Sequence, residues 1–196
     1  MEAFWISTGV VALAEMGDKT QLLALILAAR FKKPLPVILG ILLSTLLNHG
    51  LAGAIGAWVT ATIDPHWLRW VLGLSFIAMG CWALVPDKLD ADKTRLNGRL
   101  GVFGATFILF FLAEIGDKTQ IATIALAAHY PSAVAVVIGT TAGMMLANVP
   151  AVLFGHRLLS RIPMRALRRI AATLFMLLGI WTLFDGSLGS FFSSPR

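Results

Sequence analysis

The chain has 196 residues, of which 58% are hydrophobic and 13% charged, with a mean hydropathy of +0.82 and a formal net charge of +6. That balance is too apolar for a water-soluble domain and points to an all-α integral membrane protein. The basic excess sits in short loops and reads as an orientation signal, not as a nucleic-acid footprint, while the single cysteine, Cys81, excludes a disulfide framework and a thiolate metal site within one chain.

Hydropathy predicts six spans, each long enough to cross about 30 Å of hydrocarbon. They are Ala3–Ala29, Leu35–Thr60, Trp67–Val85, Gly101–Ala128, Ala133–Gly155 and Leu167–Phe184. The apolar runs are continuous, not alternating, so they read as helices and not as strands of a barrel. The first span follows Met1-Glu2 without a basic n-region, and is expected to be a true span and not a signal peptide.

Inside that span lies Glu15-Met16-Gly17-Asp18-Lys19-Thr20-Gln21. An ionisable group in mid-membrane costs about 2.5–3.5 kcal/mol on insertion scales, so three together imply use. On one continuous helix, spacings of three and four put Glu15, Asp18 and Lys19 on one side, with Gln21 extending the strip. The first and fourth spans are longer than a bilayer needs, which predicts tilt or a break near the motif glycines.

The second span carries Asn48-His49-Gly50, then Gly53 and Gly56; the third carries Trp67, Trp70 and Trp82, which read as interface anchors or packing. A charged linker, Pro86–Leu100, follows. The fourth span repeats the first motif 99 residues later as Glu114-Ile115-Gly116-Asp117-Lys118-Thr119-Gln120. The fifth has Gly139 and Gly143 in GxxxG spacing, which favours close helix approach. It then has Asn148-Val149-Pro150, where proline removes a backbone donor.

Basic residues alternate by loop. Arg30, Lys32 and Lys33 follow span one; Lys88, Lys93, Arg95 and Arg99 follow span three; Arg157, Arg161, Arg165, Arg168 and Arg169 follow span five. The opposite side has only Arg69 and Arg196. The positive-inside rule then places both termini away from the cytoplasm. The 99-residue offset also aligns Gly40 with Gly139, His49 with Asn148, Gly56 with Gly155, Gly80 with Gly179 and Trp82 with Trp181. An odd number of spans per half makes the halves inverted repeats. The expected organisation is a three-helix unit at 1–85, a cytoplasmic linker at 86–100 and an inverted unit at 101–196. Transporters built this way bind their cargo at the midplane.

Glu15, Asp18, Glu114 and Asp117 supply four carboxylates, and Lys19 and Lys118 two positive charges. Fully ionised, the group carries a net −2, which one dication would neutralise. Hard oxygen ligands suit Mg²⁺, Ca²⁺ or Mn²⁺. Thr20, Thr119, Gln21, Gln120, Asn48 and Asn148 can complete the shell or support it. Zinc or copper would prefer Cys and His, and the core spans offer only His49. His49 faces three readings: ligand, proton relay or plain core residue. Crowded carboxyl groups kept from water favour the proton over the bare charge. Proton and metal would then compete for one site, which is an antiport mechanism. In the metal-free state the lysines are expected to pair with the carboxylates.

The duplicated Glu-x-Gly-Asp-Lys-Thr hexapeptide in a six-span chain, with Ala147-Asn148-Val149-Pro150, closely resembles the bacterial MneA-type manganese exporters. Their relatives are the Golgi and thylakoid manganese/calcium transporters of the cation/Ca²⁺ exchanger superfamily. The resemblance covers nearly the whole chain. It implies a transporter and not an enzyme, needing no cofactor beyond its cargo, in the bacterial inner membrane. It implies export of Mn²⁺, with Ca²⁺ as the other candidate, in exchange for H⁺, with Glu15, Asp18, Glu114 and Asp117 as ligands. Expected partners are those ions and membrane lipid, with homo-oligomerisation left open and no nucleic acid. Three rivals are weighed beside this reading. An exporter of amino acids or other small organic solutes would not need four midplane acids. An intramembrane aspartyl protease would pair Asp18 with Asp117, but its Gly-x-Gly-Asp signature has Glu at the first position in both copies. A membrane scaffold would tolerate neutralisation of the motif acids.

Overall fold

The computed structural model describes residues 1–85, 100–155 and 164–192. Among these there are eight α-helices and no strand. They are α1 Glu2–Glu15, α2 Lys19–Phe31, α3 Pro34–Thr62, α4 Pro65–Ala83, α5 Gly101–Glu114, α6 Lys118–His129, α7 Ala133–Phe154 and α8 Met164–Phe192. The α3 and α7 helices and the Arg165–Phe184 part of α8 are each long and apolar enough to cross a membrane, and α5 is a shorter apolar helix. The chain is a helical membrane protein. The linker, apart from Leu100, lies outside the described residues, as do Arg157 and Arg161.

Four of the predicted spans are single helices, but the first and fourth are each broken in two. The cause is local. Gly17 has φ of 83° and Gly116 φ of 73°, a left-handed conformation that glycine adopts without steric cost. The flanking Met16, Asp18, Ile115 and Asp117 are extended. Thus Glu15 ends one helix and Lys19 starts the next. Helix starts recur at the same 99-residue interval throughout: Glu2 and Gly101, Lys19 and Lys118, Pro34 and Ala133, Pro65 and Met164.

Small residues set how closely the helices cross. Gly139 of α7 lies against Phe4 and Ser7 of α1, and Gly143 against Thr8 and Ala12, so these two helices run in the same direction. In the other half Gly40 of α3 lies against Phe103 and Thr106 of α5, and Asn48 donates to the Phe111 carbonyl, again with both chains running together. Gly56 of α3 abuts Ile124 and Ala127 of α6, and Thr60 donates to the Ala128 carbonyl. After residues 130–132, α7 doubles back along α6, so it crosses α3 in the opposite direction, with Gly53 against Val137.

The polarity of the body is reversed relative to a soluble protein. On α3 the outward residues are Leu39, Leu43, Leu46, Leu47, Leu51, Ile55 and Trp58, while Ser44, Thr45, Asn48 and His49 are buried. The outside is matched to hydrocarbon and the inside to something polar. Phe76 and Phe175 anchor one apolar cluster, between α4, α6 and α8, and Phe110 another, between α2, α3 and α5.

A side chain at Gly143 would bring its Cβ to 2.5 Å from the Thr8 carbonyl oxygen, whereas one at Gly9 meets nothing within 4 Å. Gly143→Val is therefore expected to destabilise the protein by about 1–3 kcal/mol, the usual cost of overpacking, and Gly9→Ala to leave it as stable or to add up to about 1 kcal/mol of helix propensity. Thermal unfolding of the two purified variants in detergent checks this; equal midpoints would refute the α1–α7 contact.

Candidate metal centre

Each helix break is held by its own motif. The Asp18 amide donates to the Glu15 carbonyl at 3.0 Å, and Asp117 to Glu114 at 3.1 Å. The glycine amides donate to the side-chain oxygens of the motif glutamines, Gly17 to Gln21 and Gly116 to Gln120, both at 2.8 Å. The glutamine amide nitrogens then reach into the opposite half. Gln21 Nε2 donates to the Ala147 carbonyl at 2.8 Å, and Gln120 Nε2 to Asn48 Oδ1 at 3.4 Å. Positions 48 and 147 are again 99 apart. Asn48 itself is fixed by donating to the Phe111 carbonyl at 3.2 Å. Gln21, Gln120 and Asn48 are thus struts that brace the breaks against the other half.

The breaks deliver the acids to one place. Glu15 and Glu114 are wholly buried, and Asp18 and Asp117 nearly so. One oxygen each from Glu15, Glu114 and Asp117 lie within 4.8 Å of one another. Dication–oxygen bonds of about 2.0–2.6 Å put two ligands of one ion at most about 5 Å apart, so the triple is sized for a single hard cation. Thr20 donates to Glu15 Oε2; Thr119 donates to Glu114 Oε2 at 3.2 Å and to Asp117 Oδ2 at 3.4 Å. The motif threonines therefore orient the acids and do not spend their hydroxyls on the helix backbone. The second oxygens, Glu15 Oε1 and Glu114 Oε1, are buried with no hydrogen-bond partner among the described residues.

The lysines cross between the copies. Lys19 Nζ lies 2.7 Å from Asp117 Oδ1, and Lys118 Nζ 3.1 Å from Asp18 Oδ1. Asp18 is thus brought to the facing motif through Lys118, while the tight oxygen triple is made by the other three acids. Three carboxylates in an interior of low dielectric repel strongly, and the two ammonium groups offset that.

The remaining predicted residues lie on α3 and α7. His49 is wholly buried, and neither ring nitrogen has a hydrogen-bond partner among the described residues. Asn148 Nδ2 donates to the Met144 carbonyl at 3.1 Å and contacts Met144 Sδ at 2.9 Å, and its buried Oδ1 has no hydrogen-bond partner among the described residues. Sequence reasoning passed over Met144 and the Ala147 and Phe111 carbonyls. The i,i+4 spacing of Met144 and Asn148 was the one available sign; backbone acceptors have no sequence signature.

The sequence profile of the family described as "Divalent cation/proton antiporter GDT1" matches the chain twice, at residues 3–91 and 102–190. The two matches are offset by the same 99 residues as the motifs. A Vibrio cholerae protein named "Putative manganese exporter" is 50% identical over 94% of this chain and 92% of its own length. "GDT1-like protein 5" of Oryza sativa subsp. japonica is 31% identical over 95% of this chain and 96% of its own. Its Arabidopsis thaliana counterpart is 28% identical over 93% and 96%. No solved structure matches the chain.

Gln21→Leu removes the acceptor of the Gly17 amide and the donor to the Ala147 carbonyl together, and is expected to cost about 1–3 kcal/mol. Gly116→Ala meets nothing within 4 Å, so its cost is that of a left-handed backbone alone, about 1–2 kcal/mol. Thermal midpoints of both variants in detergent test the brace; an unchanged Gln21→Leu protein would show that the strut carries no load.

Proposed function

The chain belongs to the GDT1 family of divalent cation/proton antiporters, and on that premise we propose that it exports Mn²⁺ from the cytoplasm in exchange for protons. The observation that carries this reading is the meeting of Glu15, Glu114 and Asp117 oxygens within 4.8 Å, inside a body whose outer surface is apolar. An all-oxygen set of carboxylates selects a hard dication. The relative named for manganese favours Mn²⁺ among these, with Ca²⁺ the second candidate. Asp18, held at the facing motif by Lys118, is the fourth acid of the site.

Coupling follows from competition. Metal binding to carboxyl groups releases protons, and protons returning to the same oxygens expel the metal. The cage is filled by one or the other, so each half-cycle carries one cargo across.

The proposed architecture is six spans in two inverted units, 1–85 and 101–196, joined by the linker at 86–100, with the site where the units meet. Helix directions support the inversion: α1 runs with α7, α5 with α3, and α3 crosses α7 in the opposite sense. The exposed basic run Arg30, Lys32 and Lys33 at the end of α2 supports a cytoplasmic end there. By the positive-inside rule both termini then lie outside, in the bacterial inner membrane.

Purified protein in proteoliposomes with an acid interior is expected to accumulate Mn²⁺ and to lose that accumulation when a protonophore collapses the pH gradient. Glu15→Gln, Glu114→Gln and Asp117→Asn should each lower the flux by about 100-fold or more, beyond the 10–100-fold that loss of an outer partner costs. Parallel measurement with Ca²⁺ and Mg²⁺ ranks the cargo. Proton-independent flux would overturn the antiport reading, and full flux in any of the three variants would overturn the cage.

A further inference from the structure

The repeat makes Lys19 and Lys118 equivalent by sequence, but their surroundings differ. Asp117, the partner of Lys19, is a corner of the oxygen triple; Asp18, the partner of Lys118, is not. The Lys19 ammonium thus stands, at 2.7 Å, on one of the three acids of the triple. The Lys19 side chain is also 22% exposed, whereas that of Lys118 is 5% exposed. Lys19 therefore has somewhere to go, and Lys118 is enclosed.

We propose that Lys19 is a built-in competitor of the cargo: its ammonium occupies the Asp117 corner until a divalent cation displaces it, while Lys118 stays on Asp18 and clasps the two motifs together. This rests on the transport reading above and adds to it a division of labour between the lysines. The physical reason is exclusion of like charges. A dication bonded to Asp117 at about 2.0–2.6 Å is repelled by an ammonium 2.7 Å from the same carboxylate, the more strongly the lower the local dielectric. Binding expels Lys19 toward its exposed side. Its return, when the site opens on the far face, helps expel the cation and leaves the empty carrier with its acids compensated. Lys118 stands near Glu15 as well, but the carboxylate it pairs with, Asp18, is the one acid of the four outside the tight triple, so its conflict with a bound cation is the weaker.

The test measures Mn²⁺ affinity of the full-length protein in detergent, by equilibrium dialysis, for wild type, Lys19→Met and Lys118→Met. Removal of a competitor raises apparent affinity, by about tenfold or more for one that holds most of the empty state. Lys19→Met is thus expected to bind Mn²⁺ more tightly and to transport it more slowly, through slower release. Lys118→Met is expected to bind it more weakly or to unfold. A second readout needs no variant: Mn²⁺ should raise acetylation of Lys19 by acetic anhydride several-fold, read by peptide mass spectrometry, with Lys118 protected throughout. Weaker binding by Lys19→Met, or equal Lys19 acetylation with and without Mn²⁺, would overturn the proposal. A wild-type chain that binds no dication would instead overturn the transport reading on which it rests.

Discussion

The structure turns on a pair of crossed ion pairs in the interior. Lys19 reaches the aspartate of the second motif and Lys118 the aspartate of the first. Neither motif could sit alone in an apolar body, since each would bring two acids and one base out of water. Placed face to face, they neutralise each other in part and leave more acids than lysines at their junction. That surplus of acids is what the cation site proposed above is built on. A self-contained network would match acids to bases one for one, and here four acids face two lysines.

Geometry multiplies this effect. Because each lysine pairs across the interface, the acids can meet only when the two halves are docked. The glutamine struts impose the same condition: Gln21 ends on Ala147 of α7, and Gln120 on Asn48 of α3. Closely packed glycines at positions 40, 53, 56, 139 and 143 fix the helices that carry these acceptors. The scaffold behind the acids is thus closely packed, and the elements that hold them are short half-helices with a glycine between them.

Much of this was legible in the residues themselves. Apolar runs located the helices to within a few positions, because lipid demands both length and continuity, except at the end of α8, which runs to Phe192 where the span was expected to stop at Phe184. The motif acids stood out because charge inside such runs is expensive. The 99-residue echo foretold matched helix starts, and the excess span length foretold the breaks at Gly17 and Gly116. What stayed hidden depended on three dimensions. A continuous helix would carry Glu15, Asp18 and Lys19 along one side, and the break instead sends Lys19 to the opposite copy. Nothing in one motif says that its lysine prefers the other's aspartate. Nor does the repeat tell that Lys19 is the more exposed of the two lysines. The acceptor role of the Ala147 carbonyl is invisible too, since every residue has one.

The interruptions at Gly17 and Gly116 have an electrical consequence. An unbroken helix carries its macrodipole from one membrane surface to the other, with the partial charges at its tips dissipated in water. Stopping α1 at Glu15 and α5 at Glu114 deposits two carboxyl-end tips, each worth roughly half a negative elementary charge, in the dry centre of the protein. Starting α2 at Lys19 and α6 at Lys118 brings two amino-end tips of the opposite sign to the same breaks. Each break thus sets a carboxyl-end pole beside its glutamate and an amino-end pole beside its aspartate, fixed backbone charges that take up no protons.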